Sequence, residues 1–155
     1  MGLLFVPLSI AQLRDWATTG VLAAGQRAHA ATEELQVAFG LSDAEEAEQV
    51  ALLAASVAGL IANQRRLVAV AEGTPVPRVE ADADFGEVAT PQLAWRAVGA
   101  VFADEPGQVL VAEAATAAAG STLSQAWDDP AVAALLGAAD LLWHGAGEWE
   151  LLVAG

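Results

Sequence analysis

The chain has 155 residues, the length of one ordinary domain, and about a quarter of them are Ala, far above usual usage and a sign of helix rather than of a greasy core. It has no Cys and no Tyr, and its six cationic residues are all Arg (14, 27, 65, 66, 78 and 96), which excludes disulfides, thiolate nucleophiles, Cys-ligated metals, lysine Schiff bases, a P-loop lysine and a tyrosine general acid. The formal charge of −14 opposes binding to nucleic-acid phosphates or anionic lipid. It is also uneven, since five Arg face eight acids through Arg78 and Arg96 alone faces twelve after it.

Leu3 to Val6 is a continuous apolar run stopped by Pro7, as expected of a strand covered on both faces. Ser9 and Gln12 then have the spacing of a capping box, and apolar residues at helical intervals lead to Gly20, which suits a left-handed helix end. Gln26 to Ala31 alternates, with Arg27 and His29 on one side and Ala28 and Ala30 on the other. This pattern predicts a half-exposed or edge strand.

Thr32 is placed to cap a short helix that ends at Gly40. Ser42 with Glu45 predicts a second capping box, opening the longest helix, to about Gln64, with acids at its start and Arg65-Arg66 at its end, both as the helix dipole prefers. Leu67 to Ala71 and Ala97 to Ala103 are further doubly apolar strands. The stretch Gly73 to Thr90 between them, with two Pro and several acids, reads as the one long irregular segment, a kind usually functional or poorly ordered.

A helix is expected over about Pro106 to Ala119, followed by a link to Trp127. Asp129-Pro130 signals another helix start. Asp140 to His144 is read as a short strand rather than a helical extension, before a last helix at Glu148 to Ala154. Strands alternating with helices predict a single-domain α/β sandwich around a mixed sheet of about five strands, with about six helices and the three doubly apolar strands central.

The opening Leu4-Phe5-Val6-Pro7, the segment His29-Ala30-Ala31-Thr32 with the acid-led helix Asp43 to Glu48, and Asp140-Leu141-Leu142-Trp143-His144 together resemble an uncharacterised α/β protein family of actinobacterial type, a domain of unknown function. The similarity runs through most of the chain in order and is weakest over Gly107 to Gly137. At position 144 the resemblance leads one to expect Tyr, where this chain has His. It implies a fold and no established activity.

Six residues stand out as candidates for ligand or partner binding. Arg27 and His29, on one strand face, have the chemistry to hold a carboxylate or phosphate, although a solvated edge strand explains the same alternation. Asp104 ends a central strand, where ligands of open α/β sheets gather. His144 and Glu148 are four apart, the spacing that sets a base and a carboxylate on one helical face, although Gly145 and Gly147 argue against a helix there. Trp143 belongs to a set of five Trp, of which core packing should claim at least half. Glu80-Ala-Asp82-Ala-Asp84-Phe-Gly86-Glu87 alternates carboxylates as a calcium loop does, but its glycine stands one place too late, so it reads as an acidic surface loop. Gly120-Ser121 lacks the flanking pattern of a nucleophile elbow.

No catalytic residue, cofactor or metal is implied. The start Met1 to Phe5 lacks a basic leader, and the longest apolar run, Val50 to Ala62, is short of the roughly 20 residues that span a bilayer. The expected setting is cytoplasmic, in a G+C-rich bacterium on the strength of Ala, Gly and Arg usage without Lys. The preferred function is non-enzymatic, a protein-interaction or regulatory domain whose partner includes a second copy of itself as a homodimer. A small-molecule enzyme using carboxylates and His is the first alternative, and an acidic neutraliser of a basic partner is the second.

Overall fold

The computed structural model describes residues 2–79 and 81–154. In chain order the first elements are β1 (Gly2–Pro7), α1 (Ile10–Thr19), β2 (Val21–Leu22), β3 (Arg27–His29), α2 (Glu33–Phe39), α3 (Ala44–Asn63) and β4 (Leu67–Gly73). There follow β5 (Glu87–Ala89), β6 (Leu93–Ala94), β7 (Val98–Ala103), α4 (Val109–Ala118), α5 (Leu123–Trp127), α6 (Pro130–Ala138), β8 (Leu142–His144) and α7 (Trp149–Val153). Ser9 and Gln12 form the expected capping box at 2.8 and 3.1 Å, and Gly20 closes α1 at φ 84°. The cap of α3 is Asp43 rather than Ser42.

One sheet of six strands runs β5-β3-β1-β4-β7-β8, and β2 pairs with β6 separately. The α/β class holds and β1, β4 and β7 are central, as their doubly apolar sequences require. The sheet is larger by one strand than expected, and each of its five ladders is antiparallel rather than mixed. Alternating strands and helices make parallel neighbours only when nothing lies between the two strands. Here β3 and β4 run parallel to each other, joined through α2 and α3, but β1 is inserted between them and opposes both. A seventh helix, α5, lies in the stretch read as a link, opened by a Thr122–Gln125 capping box.

The stretch read as irregular holds β5 and a 3₁₀ turn at Ala83–Phe85. Because β5 covers β3 on its outer side, β3 is not an edge strand.

The helices explain the unusual apolarity. On one sheet face Leu4, Val6, Leu67, Ala69, Val101 and Ala103 pack with Leu13 and Trp16 of α1 and with partly buried residues of α7. On the other face Phe5, Val68 and Val70 pack against Ala47, Ala51 and Ala55 of α3. Val57 and Leu60 of α3 are in turn covered by α4, α5 and α6. The stretch Val50 to Ala62, polar only at Ser56 whose hydroxyl donates to the Leu53 carbonyl, is therefore apolar on nearly every side because α3 is enclosed from two sides. No helix among the described residues is long and apolar enough to cross a membrane.

Candidate functional site

Arg27 and His29 do share one face of β3, opposite Ala28, and β5 brings Glu87 directly across from His29. The ring of His29 is fully buried. Its Nδ1–H donates to the Phe85 carbonyl at 2.7 Å, which fixes the tautomer and leaves Nε2 as an acceptor enclosed without a protein partner. Burial pushes its pKa down to about 4, and the charges of Arg27 and Arg78 push the same way against the opposing effect of the Phe85 bond. His29 is accordingly a neutral imidazole at pH 7.

Arg27 Nη2 lies 2.8 Å from Glu87 Oε1 and 3.5 Å from Asp82 Oδ2, and Arg78 Nη1 lies 3.4 Å from Glu87 Oε2. Two guanidinium groups and two carboxylates thus neutralise one another. The expectation of a half-exposed or edge strand is corrected, since β5 covers β3: His29 lies buried beneath the turn, and Arg27, which stays partly exposed, is paired with carboxylates.

That turn is fixed by two further devices. Gly86 has φ 72°, and a Cβ there would lie 2.1 Å from the Ala30 carbonyl oxygen and 2.9 Å from Leu35 Cδ1, so only glycine fits. Phe85 meets Phe39 of α2 edge-on and Trp127 of α5 at a tilt, and those two rings also meet edge-on, with ring centroids 5.3 to 5.8 Å apart. A base that titrates far below neutrality and does not reach solvent is poorly placed to move a substrate proton. The cluster fastens β5 to the sheet.

Asp104 is spent on structure as well. Its carboxylate receives Arg66 Nε at 3.0 and 3.1 Å and also bonds Arg66 Nη2. The same Nη2 donates to the carbonyl of Ala139 at 3.0 Å, the residue that follows α6, where a cation complements the helix end. Arg66 is 1% exposed, so the arginine read from sequence as a complement to the α3 dipole is an internal clamp. It joins the start of β4 to the ends of β7 and α6.

At the far edge of the sheet, His144 and Glu148 do not form a pair. His144 Nδ1 turns to the Leu142 carbonyl at 3.1 Å, and Glu148 Oε2 accepts from Gly145 N–H at 2.6 Å. Each stabilises its own local chain, because the glycine turn sends the two side chains to separate backbone groups. Among the described residues no three His, Asp or Glu side chains are grouped closely enough to hold a metal ion. Glu80, part of the alternating acidic stretch, lies outside the described residues.

The five Trp divide sharply. Trp16 is buried, its Nε1–H donates to the Leu93 carbonyl at 3.1 Å, and it meets Trp95 edge-on at 5.4 Å. Trp95, Trp127 and Trp149 pack against the cores. Trp143 is 63% exposed, beside Leu142 at 44%. It sits in β8, the terminal strand of the sheet, opposite Phe102 of β7. Cross-strand partners share a face, so Trp143 stands on the α3 side of the sheet.

A model of a family of unknown function, DUF6912, matches residues 3–153. The chain belongs to that family. No curated protein and no solved structure matches it. The DUF6912 match takes in every candidate residue above and assigns none of them a role.

Within this DUF6912 domain, three residues that shape the clusters were not legible as such: Glu87, read only as part of an acidic surface loop, Arg78, read only in the charge count, and Arg66. Arg66 stands directly before one doubly apolar strand and Asp104 directly after another. The antiparallel register Leu67↔Ala103 brings them together. That signal becomes readable only once the pairing is known.

Proposed function

We propose that this DUF6912 domain is a non-enzymatic protein-interaction module that receives a partner on the outer edge of β8. The observation that carries the reading is Trp143, the one Trp with most of its surface exposed, on a strand whose outer side no described strand covers. An open edge offers backbone N–H and C=O groups to an added strand, and an exposed indole gives that strand an anchor. The buried polar groups support the same reading, since His29 and the Arg66–Asp104 pair hold the fold, and Arg27, though partly exposed, is paired with Glu87.

The partner that suits this edge is an extended cationic segment. No Lys or Arg follows Arg96, whereas eight acids do, Asp140, Glu148 and Glu150 among them close to β8 in sequence. Such a field steers a basic chain and leaves the Trp143 face free for a cation–π contact. A second copy would bring another −14 against the first, which disfavours the homodimer. The absence of Cys agrees with a reducing, cytoplasmic setting.

Titration with a short peptide alternating Arg with Val tests this. It should move the amide resonances of Leu142 to His144, bind more weakly as salt rises, and fail with Trp143→Ala. Equal binding of an alternating Glu peptide would refute the charge argument. A Trp143-dependent dimer in sedimentation would replace the cationic partner by a second copy.

A further inference from the structure

Which backbone groups of β8 face outward follows from the ladders of the sheet. Leu8 N–H donates to the Leu67 carbonyl at 2.9 Å, in continuation of the Pro7↔Val68 register, so Leu67 turns its N–H and C=O to β1. Antiparallel pairing sends the polar groups of successive residues to opposite sides. Val68 therefore faces β7 across from Phe102, and Val101 and Ala103 face β8 across from His144 and Leu142. That leaves Trp143 as the residue of β8 whose N–H and C=O both point away from the sheet. Gly145 continues the alternation, since its backbone is still extended at φ −69° and ψ 155°. Its N–H also points outward, and there the Glu148 carboxylate accepts it at 2.6 Å, while Glu148 N–H donates to the Gly145 carbonyl at 3.0 Å. Toward the C-terminus the open edge thus stops at Trp143.

We infer that Glu148 is a latch on this edge: it closes Gly145 to an added strand, and a guanidinium from the partner draws the carboxylate away and frees the Gly145 N–H. As a selector of partners the latch rests on the reading of β8 as a docking edge, and it assigns the cation a position. A strand added antiparallel, as in each ladder of the main sheet, sets one residue across from Trp143, exchanges two hydrogen bonds with it and lays its side chain beside the indole. The residue two places along lies on the same face, across from Gly145. An Arg there meets Glu148, which is exposed and has no ion pair among the described residues. A guanidinium donates to both carboxylate oxygens at once, where the Gly145 amide satisfies one, and the released N–H then donates to a carbonyl of the partner. A neutral strand brings its own carbonyl against the carboxylate, two acceptors before one donor, and stops at Trp143.

The latch is tested first without a partner. In the free protein the Gly145 amide should exchange with solvent more slowly, relative to its intrinsic rate, than the Trp143 amide, and Glu148→Ala should lift that protection and leave Trp143 unchanged.

Two peptides, alternating Arg with Val and Gln with Val, are then titrated into the ¹³C- and ¹⁵N-labelled protein. The Arg peptide should shift the Trp143 and Gly145 amides together with the Glu148 side-chain carboxyl carbon. The Gln peptide should shift Trp143 alone and bind about tenfold more weakly. In Glu148→Gln the side-chain oxygen still accepts from Gly145 but attracts no cation, so the Arg peptide should shift Trp143 and leave Gly145 in place. Equal protection of the two amides in the free protein, an Arg peptide that shifts Trp143 without Gly145, or a Gly145 shift undiminished in Glu148→Gln would overturn the latch and leave the docking edge standing. No shift of Trp143 by either peptide would overturn the docking edge and the release by a cation with it. Should Glu148→Ala disturb the turn, Glu148→Gln, which keeps the hydrogen bond to Gly145, decides.

Discussion

Replacing His29 by Gln should flatten the acid side of the stability profile. In the folded protein the ring is buried, its pKa pushed down from 6.5 to about 4 by desolvation and by Arg27 and Arg78. Above pH 6.5 the imidazole is neutral in both folded and unfolded chains, and its contribution does not vary. As the pH falls below 6.5 the unfolded chain takes up a proton that the folded protein refuses. Stability then declines with a slope approaching ~1.4 kcal/mol per pH unit until the folded ring also protonates near pH 4, a total of ~3 kcal/mol. His29→Gln keeps a donor for the Phe85 carbonyl and cannot titrate. The stability difference between the two proteins should therefore shift by ~3 kcal/mol in favour of the variant between pH 7 and pH 4. All other groups are common to the two proteins, so the comparison isolates His29. Urea unfolding followed by Trp fluorescence across this range measures the difference, and the His29 Cε1–H resonance reports the folded pKa directly. Parallel profiles, or a folded ring titrating near 6.5, would refute the reasoning.

Asp104→Asn should cost ~3–5 kcal/mol, because it leaves the buried Arg66 charge without its counterion; the paired replacement Arg66→Met with Asp104→Leu should recover most of that loss in urea denaturation. Gly86→Ala should destabilise by more than ~2 kcal/mol, since a Cβ meets the Ala30 carbonyl oxygen at 2.1 Å in a left-handed conformation, and hydrogen exchange should show β5 released first. Trp143→Ala should change stability by less than ~1 kcal/mol in thermal melts, because most of the ring faces water. A large loss would mark Trp143 as a core residue and remove it from the proposed docking edge.

Local chemistry made much of the secondary structure readable. The Ser9–Gln12 box, Gly20, Gly40 and Asp129-Pro130 act over a few residues, and each bounds a helix as expected. Doubly apolar runs placed β1, β4 and β7 in the middle of the sheet, since only a covered strand can be apolar on both faces. Both helix α5 and strand β5 escaped notice. The first is five residues long inside Ala-rich sequence, and the second is three residues held by β3 rather than by its own pattern. The candidate residues fared unevenly for a related reason: Arg27, His29 and Asp104 were singled out for their chemistry, and their partners Glu87 and Arg66 come from distant parts of the chain.

By itself, then, the sequence determined the α/β class, the missing thiol, amine and phenol chemistries, the C-terminal concentration of acid, and the helix ends, all of which depend on composition or on neighbours a few positions apart. Only the tertiary structure decided which polar groups are used up. Antiparallel pairing of β4 with β7 joins Arg66 to Asp104, the cover of β5 turns His29 from a surface ligand into a buried neutral ring, and the end position of β8 leaves Trp143 in water. Burial and pairing arise from contacts between segments far apart in the chain, and no local pattern carries them.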